Sequence, residues 1–227
     1  MPTCIAPGCQ DPIRSASFSN LCRRHATAKY RHGHPLQTYV TPRHLTPHRR
    51  TIARLRRHNA DSPLWSELRT AWARIVDHCR GVLVDHKTGT ARGRHAVQAA
   101  ETVLHLDATA GPDKCINEGL AVVMLYAACG TVGHPRLYRD LRCAQFDLVR
   151  KILHLSPQSK GSFWDHRKQR VTTVFRNPVP RMVDLLAAIR WPMLALAGGM
   201  IFEHEQRKKL APQEGRATVI QAIEELK

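Results

Sequence analysis

Between Pro12 and Ala60 the chain has no acidic residue. A solvated charged surface ordinarily mixes signs, so this absence argues against an ordinary salt-bridged exterior there. Acids are scarce overall: 18 Asp and Glu stand against 35 Lys and Arg, giving +17 and a pI of about 10.3. No apolar run opens the chain where a secretory signal would begin, which points to a cytoplasmic, nucleoid-associated protein. The best membrane candidate, residues 183–202, has Arg190 near its middle and Pro192 beside it. An arginine at the bilayer centre costs roughly 2.5–3.5 kcal/mol, so this stretch reads as a buried core helix and no membrane partner is expected. Also missing are a GxxxxGK[ST] phosphate loop, a pocket-like pair of carboxylates and any internal repeat. The tyrosines, Tyr30, Tyr39, Tyr126 and Tyr138, fit no Arg/Tyr recombinase site.

What is present is charge, unevenly spread. Residues 1–60 hold eleven Lys and Arg against Asp11 alone. This surplus of ten in the first quarter suits a polyanionic partner. The hydrophobic fraction of 43% is that of a folded protein. The expected fold is mainly α: a small zinc-binding head (1–40), a basic arm helix (41–60) and a helical body (61–227) with a possible short β-hairpin. Thr46 and Pro47 read as the N-cap and first position of the arm helix, which would end near His58. Arg49, Arg50, Arg54, Arg56 and Arg57 surround only Ile52 and Leu55 there, a composition suited to phosphates or a major groove.

In the body, Trp65, Leu68, Trp72, Ile75, Val76 and Cys79 recur at helical spacing and read as core rather than as a base-stacking platform. Further helices are predicted over 92–106, from 115 through an apolar run, and over 135–155. A long helix over 180–209 and a separate final helix follow. "RVTTVF" at 170–175 has strand character. From Arg150 to Arg176 seven cations face only Asp165, a second candidate patch that includes Lys160, Arg167, Lys168 and Arg170.

The cysteines carry the sharpest signal. Cys4-x4-Cys9-x12-Cys22-x2-His25 consists of two close pairs separated by a loop, as a tetrahedral ion requires. A disulfide would leave one thiol of the three over and give His25 no role; a reactive thiol would not explain paired spacing. Three thiolates and an imidazole make a structural Zn²⁺ set without an open position. His32 and His34 are alternative fourth ligands, but His25 closes the smaller chelate. Cys79, Cys115, Cys129 and Cys143 lie in apolar settings and read as inert core.

Cys4, Cys9 and Pro12, then "LCRRH" at 21–25 and "RHGHP" at 31–35, resemble the short zinc-binding head of many bacteriophage and mobile-element proteins. Asn20 before Leu21, a longer loop and His34 in place of an acid are the departures, and the likeness covers about 35 of the 227 residues. It implies a nucleic-acid-associated module with Cys4, Cys9, Cys22 and His25 as ligands. Such heads often precede an HNH nuclease domain. The nearest fragments, Asp85-His86 and Asp165-His166, match its pattern poorly. The sequence therefore points to a zinc-containing DNA-binding accessory or regulatory protein of a bacterial mobile element, with a possible homo-oligomer or partner protein. Arg23, Arg24 and Arg31 of the head join the arm and the second patch as contacts. The alternatives are a divergent nuclease or recombination enzyme, and an RNA-binding or adaptor protein.

Overall fold

The apolar run over residues 119–125 has no polar face to turn toward water, and the other helices are arranged to cover it. The computed structural model describes residues 2–13, 20–90, 93–131, 135–156, 160–166, 169–175 and 180–225; at 160, 163–165, 173–175, 188–191 and 209–225 it describes the backbone alone. The fold is mainly α. In chain order the elements are α1 (Arg23–His32), α2 (Pro42–His58), α3 (Pro63–Lys87), α4 (Arg94–Thr109), α5 (Pro112–Ala128), α6 (Leu141–Leu153), β1 (Lys160–Asp165), β2 (Arg170–Phe175) and α7 (Pro180–Glu225).

Helix α5 is the hub, touching α2, α3, α4, α6 and α7. Leu120, Ala121, Val122 and Val123 are consecutive and all buried, which only a helix covered on every side allows. Helix α3 buries all six residues of its predicted stripe, and Trp72 Nε1 donates to Asp107 Oδ1 of α4 at 2.8 Å. The stripe is core. The predicted strand is also present, as β2 of an antiparallel hairpin whose register runs from Lys160 opposite Phe175 to Asp165 opposite Arg170.

Three boundaries differ from expectation. Helix α2 starts at Pro42, not Pro47, because Thr41 supplies an earlier N-cap and His44 Nδ1 accepts the Thr41 backbone N–H at 3.3 Å. Pro47 then lies inside the helix, where it removes one bond without ending the ladder. Helix α6 starts at Leu141, where Asp140 accepts the Cys143 N–H at 2.8 Å. The two predicted last helices are one, α7. Its segments Pro180–Ala187 and Pro192–Lys208 are bent by 65° across residues 188–191. Among the described residues no single helix is long and apolar enough to cross a membrane. Val183, Leu186, Leu194 and Ile201 of α7 lie in the core.

The residues predicted as an arm lie against the body, with Leu45, Ile52 and Leu55 of α2 buried in the same core as α5. The head is joined to α6 by a polar seam. Arg150 donates to the Arg31 carbonyl at 3.1 Å and to His32 Nδ1 at 2.9 Å, and Lys151 donates to the Val40 carbonyl at 3.0 Å. Gln37 donates to the Leu137 carbonyl at 2.8 Å and accepts the Arg139 N–H at 3.1 Å. Asp147 sits between the two cations and the Tyr138 hydroxyl, which donates to it at 2.6 Å. Arg150 and Lys151 therefore leave the second cationic patch: both are buried. Gly33 closes α1 at φ +82°, and a Cβ there would stand 3.0 Å from the Phe146 ring of α6, so both conformation and space require glycine.

The α5–α7 contact yields a paired test. A Cβ on Gly198 would stand 2.5 Å from Val123 Cγ1, whereas one on Gly199 meets nothing within 4 Å. Gly198→Ala is expected to lower the unfolding free energy by about 1–3 kcal/mol through overpacking. Gly199→Ala is expected to leave it unchanged or raise it by roughly 0.5–1 kcal/mol, the helix-propensity difference. Denaturant melts of the two variants check the order.

Candidate metal centre and cationic surface

Two local structures bring the four head residues together. Residues 2–13 double back on themselves: Cys4 N–H donates to the Asp11 carbonyl and Ile13 N–H to the Pro2 carbonyl, both at 3.0 Å. The bend between the arms is a turn in which Cys9 N–H donates to the Ala6 carbonyl at 3.0 Å and Gly8 takes φ +73°. The second structure is the start of α1. Cys22 is its N-cap, Ala26 N–H returns to the Cys22 carbonyl at 2.9 Å, and His25 lies within that first turn. Ile5 N–H ties the two parts by donating to the Asn20 carbonyl at 3.0 Å.

The ligand atoms of Cys4, Cys9, Cys22 and His25 all lie within 4.8 Å of one another. His25 Nδ1 is 3.3 Å from both Cys4 Sγ and Cys22 Sγ, and Cys9 Sγ is 3.9 Å from Cys22 Sγ. A tetrahedral ion with bonds of about 2.3 Å to sulfur and about 2.0–2.1 Å to nitrogen sets the ligands roughly 3.8 Å (S to S) and 3.6 Å (S to N) apart. These three separations agree within a few tenths of an ångström. Cys4, Cys22 and His25 are buried and Cys9 is half-buried, so the donor set is closed.

The Cys4 and Cys9 thiols are shifted in opposite directions. Burial acts to raise the Cys4 thiol, but hydrogen bonds from the Cys22 and Ala6 backbone and from His25 outweigh it and lower it to about 6. For Cys9 the Asp11 backbone favours the thiolate, yet burial and the neighbouring Cys22 and Cys4 thiols push it up. Three thiolates at this distance would repel one another; a dication held by Cys4, Cys9, Cys22 and His25 would offset that repulsion and let all three thiols lose their protons. His32 and His34 take no part: His32 faces Arg150, and His34 Nδ1 accepts the Leu36 N–H at 3.1 Å. The remaining cysteines form no disulfide, and burial pushes Cys143 up to about 12, consistent with an inert core thiol.

The arginines of α2 divide into two sets. Arg49 makes a two-pronged pair with Glu118 of α5 through Nε at 2.8 Å and Nη2, Arg54 pairs with Glu205 of α7, and Arg56 reaches Asn117 at 2.7 Å and Asp113 at 3.1 Å. Arg56 also lies 4.5 Å over the Trp65 ring. The carboxylate and amide partners of these three arginines were not anticipated, since they lie more than fifty residues away in sequence. Arg50 and Arg57 are exposed, and so is Arg43, which sequence reasoning passed over. Spaced by seven residues, the three fall within about 40° of one another around the helix. They lie opposite the buried Leu45, Ile52 and Leu55, and α2 contains no acid.

In the head, Arg23, Arg24 and Arg31 are exposed, Arg24 standing 4.0 Å from Asp11. In the hairpin, Arg170 is exposed; Arg167, Lys168 and the Lys160 side chain lie outside the described residues. Asp85 and His86 fall on the last turns of α3. Asp165 closes β1 and His166 sits in the turn that follows. Compared with family models, curated proteins and solved structures, the chain matches none.

The metal prediction follows from the closed donor set. Protein purified under reducing conditions is expected to retain one metal ion per chain, and Cys22→Ser or His25→Ala to lose it. Cys79→Ser, in the core stripe of α3, is expected to retain it. Elemental analysis of the three variants beside the parent chain checks this.

Proposed function

We propose that the protein is a zinc-stabilised DNA-binding factor, accessory or regulatory, of a bacterial mobile genetic element. Three thiolates with an imidazole are the donor set that suits Zn²⁺, and with no open position the ion is structural. The observation that carries the DNA reading is the exposed Arg43–Arg50–Arg57 stripe on an acid-free helix. Its cations recur about every 10 Å along a straight line, a spacing a phosphate backbone can follow. The mobile-element assignment rests on the likeness of the head alone.

The test is salt dependence. Each neutralised phosphate releases condensed counterions, so Arg43→Ala/Arg50→Ala/Arg57→Ala is expected to flatten the slope of log K against log salt by roughly 2–3. The melting temperature should hold, because none of the three is packed. Arg49→Ala, by contrast, is expected to destabilise the fold by leaving Glu118 buried and unpaired. An unchanged slope in the triple variant would remove α2 as the contact surface, and equal or tighter binding of RNA would favour the RNA-binding alternative.

A second reading, a divergent HNH-type nuclease, is favoured by one feature: β1, β2 and α7 follow in ββα order with Asp165 and His166 at the turn. With Mg²⁺ or Mn²⁺ and plasmid DNA, retention on a gel without cleavage is expected. Cleavage that disappears in Asp165→Ala/His166→Ala would establish the second reading instead.

A further inference from the structure

Tyr39 is an aromatic left in the open at the junction of head and body. Its relative exposure is 47%, in a chain where aromatics make up only 6% of residues. The ring is nonetheless fixed in place. Lys151 Nζ lies 4.9 Å and Arg150 Cζ 5.7 Å from its centroid, and the His32 ring stands 6.1 Å away, tilted by 53°. Lys151 and Arg150 are themselves buried and anchored on the Val40 and Arg31 carbonyls. A tyrosine gripped by two buried cations loses little conformational freedom when something else lies against its open surface, and rigid aromatics are cheap to use in recognition for that reason.

The surroundings specify what that something is. Among the described residues, Asp147 is the one acid paired with these cations in the seam, so two positive charges beside the ring share a single carboxylate there. Arg31 is exposed on the last turn of α1, just ahead in the chain. Arg43, the first cation of the α2 stripe, follows four residues later, and four residues of chain span at most about 14 Å. An exposed aromatic ring set in a cationic surround fits a nucleobase attached to a phosphate backbone. In the interior of a duplex the base faces are already stacked on one another, so a base there is closed to it and an unpaired base is open.

We infer that Tyr39 is a stacking platform for an unpaired base, and that the DNA this protein takes is a duplex adjoining a single-stranded segment. The α2 stripe holds the backbone of the paired part; Tyr39 carries the first base beyond it. This inference rests on the reading of α2 as a DNA surface.

The experiment uses the full-length, metal-loaded chain with a blunt duplex and the same duplex bearing a single-stranded overhang, with a fluorescent adenine analogue at the first unpaired position. The overhang substrate is expected to bind roughly 5- to 150-fold more tightly than the blunt one, the range one base–aromatic stack supplies, and the analogue is expected to be quenched. Tyr39→Ala should reduce overhang binding to the blunt level and abolish quenching, Tyr39→Phe should keep both, and blunt binding should be the same in all three proteins. Equal affinity of the parent chain for both substrates, or a preference and quenching that survive Tyr39→Ala, would overturn the inference and leave the α2 reading standing. Failure to bind either DNA would overturn both. Should Tyr39→Ala fold poorly, the parent chain decides alone, and an unquenched analogue overturns the platform.

Discussion

Everything in this molecule is arranged around one helix that cannot face water. Helix α5 buries residues on every side, and its N-terminal half carries the polar groups on which α2 is hung: Asp113, Asn117 and Glu118, each held by an arginine of α2 or α3. Apolar burial supplies the driving force, but it is non-directional and does not fix how α2 lies. The planar, two-pronged pairing of Arg49 with Glu118 adds direction. Three of the six arginines of α2 are thus spent on register, and the helix presents its other face outward.

The same logic, with the polarity reversed, attaches the head. A short segment with a few thiols has too little apolar surface to dock by burial alone. Cys4, Ala6 and Cys22 make a separate small cluster, distinct from the main core. The seam substitutes hydrogen bonds to carbonyls from Arg150 and Lys151 for apolar contact. Burying two cations is costly unless their protons are used. Lys151 donates to Val40, Arg150 donates to Arg31 and His32, and Asp147 supplies a nearby counter-charge. The demand falls on His32 as well. Burial first, and the Arg150 charge second, hold its imidazole down to about 4, so it stays a neutral acceptor. The head is consequently bound to the body by charge geometry, while its interior depends on the thiol cluster.

This division explains what could be read from the residues in advance. The ligand set of the head was legible because chelation is local: x4 and x2 spacings place the donors within one turn each, and no distant residue is needed. The α3 stripe and the apolar α5 were legible for the same reason, since helical period is a local signal. Partner choice was not. Arg49 and Glu118 are 69 residues apart and Lys151 and Val40 are 111 apart, so charge counting assigned Arg49, Arg54, Arg56, Arg150 and Lys151 to solvent or to ligand. Helix starts failed more narrowly. Two prolines, at 42 and 47, each followed a threonine, and only the tertiary position of Leu45 in the core decides between them.

The pairing also changes what the net charge means. Glu118 and Asp147 are buried, Glu205 is largely so, and Asp113 is held by Arg56 and Arg69. These acids neutralise cations within the fold and contribute little of the field that an approaching ligand meets. The cations left outside are not evenly spread: Arg43, Arg50 and Arg57 share one line on α2, and Arg23, Arg24 and Arg31 share the short helix beside the thiol cluster. Because the seam holds α1 against α6, and α6 and α2 both pack on α5, these two groups keep a set relation to each other. A polyanion that engages both therefore meets a prearranged surface and pays little ordering entropy. Loosening the thiol cluster would degrade that arrangement without touching a single cation, so the candidate metal centre and the basic surface are coupled through the fold.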